Sequence, residues 1–115
     1  MRRGDVVYVE LPYPAERGSR EQAGRRPAIA VLSATSPVRN PMVMVVPITS
    51  QLSALRFPHV IQVQPSKENG LTETSILLVF QLRALDKNRL RNVMGHLEDE
   101  HITKLDIELR RLLGL

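Results

Sequence analysis

A small, strongly bent antiparallel sheet or barrel with one C-terminal helix is the architecture this sequence predicts. Short β-branched, apolar runs recur along the chain, each bounded by proline, glycine or asparagine. Helical periodicity is convincing only from Asp99 to Leu113. No internal repeat, linker or low-complexity tract divides the 115 residues. Residues 1–115 therefore read as a single domain of ordinary size, mainly β with helix, in the α+β class.

Val6 to Leu11 is β-branched and aromatic, is entered through Gly4-Asp5, and is stopped by Pro12 and Pro14, so it reads as a strand. Tyr13 to Arg26 is a polar loop of fourteen residues, a length that in a compact domain marks function or disorder. Ala28 to Ser33 is nearly continuous in apolar residues, as in a central strand. Ala34 to Pro41 is a turn region, and Met42 to Ile48 is a further strand ending in the turn Pro47-Ile48-Thr49-Ser50. Gln51 to Phe57 suits a short helical turn. His59 to Val63 alternates like an edge strand. Asn69-Gly70 is a strong turn signal. Ser75 to Leu85 is the longest β run, Asp86 to Leu90 a helical turn, and Val93 to Leu97 a short last strand. In the final helix Ile102, Leu105, Leu109, Leu112 and Leu113 form one stripe. Glu98, Asp99 and Glu100 at its start and Arg110 and Arg111 near its end match the macrodipole.

Composition narrows the function. The chain has no cysteine, which excludes disulfides, thiolate metal sites and a cysteine nucleophile, and suits a reducing cytoplasm. The N-terminal region lacks the apolar core of a signal peptide, and no stretch approaches a membrane span, so a cytoplasmic protein with no membrane association is expected. Net charge is +4 and the pI is about 10.1, which favours an anionic partner. Arginine dominates the basic residues of the first third, and its planar fork suits phosphate. With only Tyr8, Tyr13, Phe57 and Phe80 as aromatics, a broad base-stacking platform is not expected.

The three histidines are scattered. His59 and His96 read as structural, and His101 as solvent-facing. No spacing suits a metal site or a bound cofactor, and none is expected. What remains is arginine with hydroxyls and carboxylates. Arg25 and Arg26 end the long loop, Glu21 and Gln22 lie within it, and Thr49 and Ser50 end the strand from Met42. Adjacent antiparallel strands would bring Arg26 to Thr49. The other reading is that Arg26 pairs with Glu21 to pin the loop while Thr49 bonds a turn backbone. RNA cleavage needs no protein nucleophile, because the substrate's 2′-hydroxyl attacks. A guanidinium aimed at the developing phosphate charge and a nearby hydroxyl suit that chemistry.

Arg3-Gly4-Asp5-Val6-Val7, Gly18-Ser19, Glu21-Gln22-Ala23-Gly24, Arg26-Pro27, Pro47-Ile48-Thr49-Ser50, Gln81-Leu82-Arg83, Asp86-Lys87 and Arg89-Leu90, in this order, resemble the MazF/PemK toxins of bacterial toxin–antitoxin pairs. The resemblance runs nearly end to end. It implies a small SH3-like β-barrel with helices, assembled as a homodimer. The implied activity is sequence-specific, metal-independent endoribonuclease cleavage of single-stranded RNA, leaving a 2′,3′-cyclic phosphate and a 5′-hydroxyl. Carried over by motif, the catalytic set is Arg26, Thr49 and Glu21. Arg20, Gln22, Arg25, Ser50, Gln81 and Arg83 are the expected RNA-binding residues. An acidic antitoxin segment is the implied protein partner. Two departures stand out. Arg20 is an extra residue in the loop, and Phe80 and Leu78 occupy positions where some members carry an acid and an arginine. A gyrase-poisoning toxin of the CcdB type, with a similar fold, and an inactive RNA-binding relative are the alternatives.

Overall fold

A computed structural model describes residues 1–12, 23–31 and 42–115. Seven strands form one antiparallel sheet: β1 (Asp5–Leu11), β2 (Gly24–Ala30), β3 (Met42–Thr49), β4 (Val60–Val63), β5 (Ser75–Leu78), β6 (Arg83–Asp86) and β7 (Leu90–His96). The order is β4-β5-β3-β2-β1-β7, with β6 also paired to β3. Helix α1 (Asp99–Leu113) packs across it.

β3 is the spine. One edge carries β2, with Ala28 opposite Pro47. The other carries β5 beside Ile48 and Thr49 and β6 beside Met42 to Val45. Val46 and Pro47 lie between these two pairings, where the partner chain makes a 3-10 turn over Val79–Gln81. Pro47 has no N–H to offer, so an interruption there is inexpensive. The sequence reading of Ser75 to Leu85 as one strand is thus corrected to two strands around a turn. A run apolar throughout cannot show where it bends. β2 begins at Gly24, earlier than expected. Pairing with β1 from Leu11–Gly24 to Val6–Ile29 supports Arg25 and Arg26 as strand residues. Pro27 is tolerated because pairing with β3 has ended at Ala28.

The bent sheet buries side chains on both faces. Val6, Ile29, Val46, Ile48, Leu77 and Leu97 pack under Leu105 and Leu109 of the helix. Val7, Val9, Leu11, Ala28, Val43, Val45 and Leu85 form a second cluster. The ends β4 and β7 do not pair. The turn after β4 spans part of the gap: the His96 amide donates to the Glu68 carbonyl at 2.9 Å. The backbones approach so closely that a Cβ on Gly95 would lie 2.4 Å from the Glu68 oxygen, and one on Gly70 2.3 Å from the Met94 oxygen. Asn69, fully buried, holds this turn. Its Oδ1 accepts from the Ser66 and Leu71 amides, and its Nδ2 donates to the Gln64 carbonyl and to Glu98 at the helix start.

The helix runs over the expected span and ends at Gly114, in the left-handed region with φ 71°. Its apolar stripe is narrower than expected, since Leu113 is exposed. The expectation that His101 faces solvent is also corrected: its side chain is only 13% exposed. The other two histidines tie elements together. His59 meets Glu108 of the helix at 2.9 Å, and His96 meets Asp5 at 3.0 Å.

Candidate active site

Side chains alternate across a strand, so Arg25 and Arg26 leave β2 on opposite faces. Arg25 stands opposite Glu10 in the β1–β2 register, with its guanidinium 3.7 Å from that carboxylate. Arg91 shares Glu10 at 2.7 Å. Arg26 lies on the same face as Ala28. Pairing with β3 ends where Ala28 stands opposite Pro47, and beyond that point Arg26 and Thr49 line one pocket. The convergence expected from strand pairing is therefore present.

The hydrogen bonding of this pair suits an anion. Arg26 is half-buried, and its Nε donates to the Ala23 carbonyl at 2.8 Å. No carboxylate among the described residues pairs with it. Thr49 is buried. Its Oγ1 accepts from the Gln51 amide at 3.2 Å, which leaves the hydroxyl proton available to donate. A pocket of about 430 Å³ opens here, lined by Arg25, Arg26, Thr49 and exposed Ser50.

Gln81 and Arg83 stand elsewhere. Gln81 closes the 3-10 turn between β5 and β6, and Arg83 pairs with Val45 on β3. Both line a separate pocket with Phe80. Arg20, Glu21 and Gln22 lie outside the described residues. Polar residues that sequence reasoning did not single out for the site, Tyr8, Thr72, Glu73 and Ser75, also line the Arg26–Thr49 pocket. Tyr8 stands opposite Pro27, the neighbour of Arg26, in the β1–β2 register. The other three arrive because Thr49 pairs with Ile76, a long-range register with no local signature.

Among the described residues no cluster of three or more His, Asp or Glu side chains is arranged to hold a metal ion. Among the described residues a clearly displaced ionisation belongs to Asp5, outside this pocket. Burial opposes its charge, but the Arg2 amide and His96 outweigh that and hold the carboxyl below its ordinary value.

Residues 2–113 match the model of a family described as PemK-like, MazF-like toxin of type II toxin-antitoxin system. The chain belongs to the PemK/MazF toxin family. A relative named endoribonuclease MazF, from Staphylococcus saprophyticus, is 35% identical over 115 residues, covering 100% of this chain and 92% of that protein. MazF (Form-I) from Deinococcus radiodurans has a TM-score of 0.77 at 22% identity, covering 100% of this chain and 97% of its own. A mycobacterial endoribonuclease, solved in complex with its cognate antitoxin, has a TM-score of 0.76 at 22% identity, covering 100% and 96%. At these identities the two structures speak to the fold, and the barrel-like PemK/MazF sheet with its C-terminal helix is the one found here.

Proposed function

We propose that this PemK/MazF toxin is an endoribonuclease that cuts single-stranded RNA at specific sequences without a metal ion. The observation that carries the reading is the meeting of a guanidinium and a hydroxyl, Arg26 and Thr49, in one pocket. The substrate's 2′-oxygen attacks phosphorus and forms the O2′–P bond. The P–O5′ bond breaks, and the departing oxygen takes a proton. The products are a 2′,3′-cyclic phosphate and a 5′-hydroxyl. The Nη groups of Arg26 stabilise charge on the non-bridging oxygens, and Thr49 donates to the same phosphate. Glu21 is the proposed acceptor of the 2′-proton. Arg25 and Ser50 hold neighbouring phosphates, Arg20 and Gln22 extend the loop's contacts, and Gln81 and Arg83 bind RNA beyond the cut.

Residues 1–115 act as one domain, and the working form is a homodimer in the cytoplasm. No helix among the described residues is long and apolar enough to cross a membrane. An acidic, disordered antitoxin segment competes with RNA for the basic pocket. The test is digestion of defined RNA by purified protein in EDTA, with end-group analysis. Cyclic phosphate and 5′-hydroxyl ends are expected. Intact RNA, or equal cutting by Arg26→Ala, overturns the reading.

A further inference from the structure

Among the described residues that line the Arg26–Thr49 pocket, Glu73 is the one acidic residue. It is exposed, and among the described residues its carboxylate makes no hydrogen bond or ion pair. Its backbone is firmly held. The Glu73 carbonyl accepts from Ser75 Oγ at 2.9 Å. Two residues earlier, the Leu71 amide donates to the buried Asn69 side chain at 2.9 Å. The Thr74 hydroxyl donates to Gln64 at 2.8 Å. An acceptor-only group is thus presented, on a braced segment, into a pocket whose other polar side chains among the described residues are arginines and hydroxyls.

A carboxylate there repels phosphate, so it serves no backbone contact. It can accept from a base. Single-stranded RNA exposes the Watson–Crick edges of its bases. Among the four bases, guanine alone offers two adjacent donors on that edge, N1–H and the N2 amine, with the spacing of two carboxylate oxygens. Adenine, cytosine and uracil each set a donor beside an acceptor, which a carboxylate rejects. We propose that Glu73 is a specificity residue that selects guanine at a nucleotide adjoining the cut. This rests on the endoribonuclease reading above and adds the base that its pocket prefers.

The test uses a randomised pool of short 2′-O-methyl oligonucleotides, which bind but cannot be cut. The pool is captured on the full-length protein and on its Glu73→Gln and Glu73→Ala variants, then sequenced. The wild type enriches guanine at one position by about tenfold, the discrimination a good bidentate pair carries. Both variants lose that enrichment while thermal unfolding stays unchanged, as expected for an exposed side chain. Guanine profiles equal in all three proteins, or a wild type without guanine enrichment, overturn the proposal. Digestion of ordinary RNA in parallel reports separately on the nuclease reading, so loss of one leaves the other to be judged.

Discussion

At Arg26 one hydrogen bond orients the side chain. Through Nε it fixes the plane of the guanidinium against the Ala23 carbonyl, and among the described residues no carboxylate pairs with the Nη groups. A side chain oriented before the substrate arrives loses less freedom on binding it. Arg26→Ala is expected to lower RNA cleavage by about 100- to 1,000-fold, the scale of losing one preorganised charge-stabilising donor. Circular dichroism should be unchanged. Arg26→Lys keeps charge but loses the fork, and single-turnover rates should fall between the two. Thr49→Val removes the hydroxyl at nearly constant volume. It should lower the rate while also leaving the Gln51 amide without its acceptor, at a cost of about 1 kcal/mol in urea unfolding. Thr49→Ser should retain activity, and a serine variant as slow as valine would place the role of Thr49 in packing.

Asp5 is a residue-scale matter of stability. Its carboxyl is held below its ordinary 3.8 in the folded protein, so the unfolded chain binds its proton first as pH falls. The stabilisation from Asp5 is present in full above the unfolded value and is lost as pH drops through the folded one. Urea unfolding should therefore show the gap between wild type and Asp5→Asn shrinking below about pH 4. A gap constant from pH 6 to pH 3 would show that the Arg2 amide and His96 contribute nothing through the charge.

Among the elements, the turn between β4 and β5 matters most. It seals against β7, anchors the start of α1 through Asn69 and Glu98, and presents Thr72 and Glu73 to the pocket. Gly95→Ala places a methyl 2.4 Å from a backbone oxygen, where no side chain can give way. The expected loss is about 3 kcal/mol in chemical unfolding, at the upper end of overpacking. A loss under about 1 kcal/mol would mean that the turn is free to move off β7. Gly70 carries the further demand of φ 72°, which an alanine resists.

At the scale of the whole molecule, charge decides the partners. A net charge of +4 is modest, yet Arg25, Arg89 and Arg91 cluster about the β1–β2 end of the sheet, with Glu10 between. RNA affinity should fall linearly in log–log terms with salt, by about 0.7 per phosphate contacted on a single strand. An acidic peptide should displace RNA with a similar dependence. Salt-independent binding would assign the affinity to apolar contacts.

The sequence by itself determined the α+β class, the span of α1, the convergence of Arg26 and Thr49 on one pocket, and the family. These rest on short-range signals: 3.6-residue periodicity, glycine and proline punctuation, and motifs whose order survives without coordinates. Only the tertiary structure decided that Ser75 to Leu85 breaks into two strands, that His101 is largely covered while Leu113 is exposed, and that Gln81 and Arg83 line a pocket apart from Arg26. It alone placed Glu73 in one pocket with Arg26 and Thr49. Each of these depends on which distant backbone lies opposite, and a run of apolar residues or one exposed glutamate carries no local mark of its neighbour.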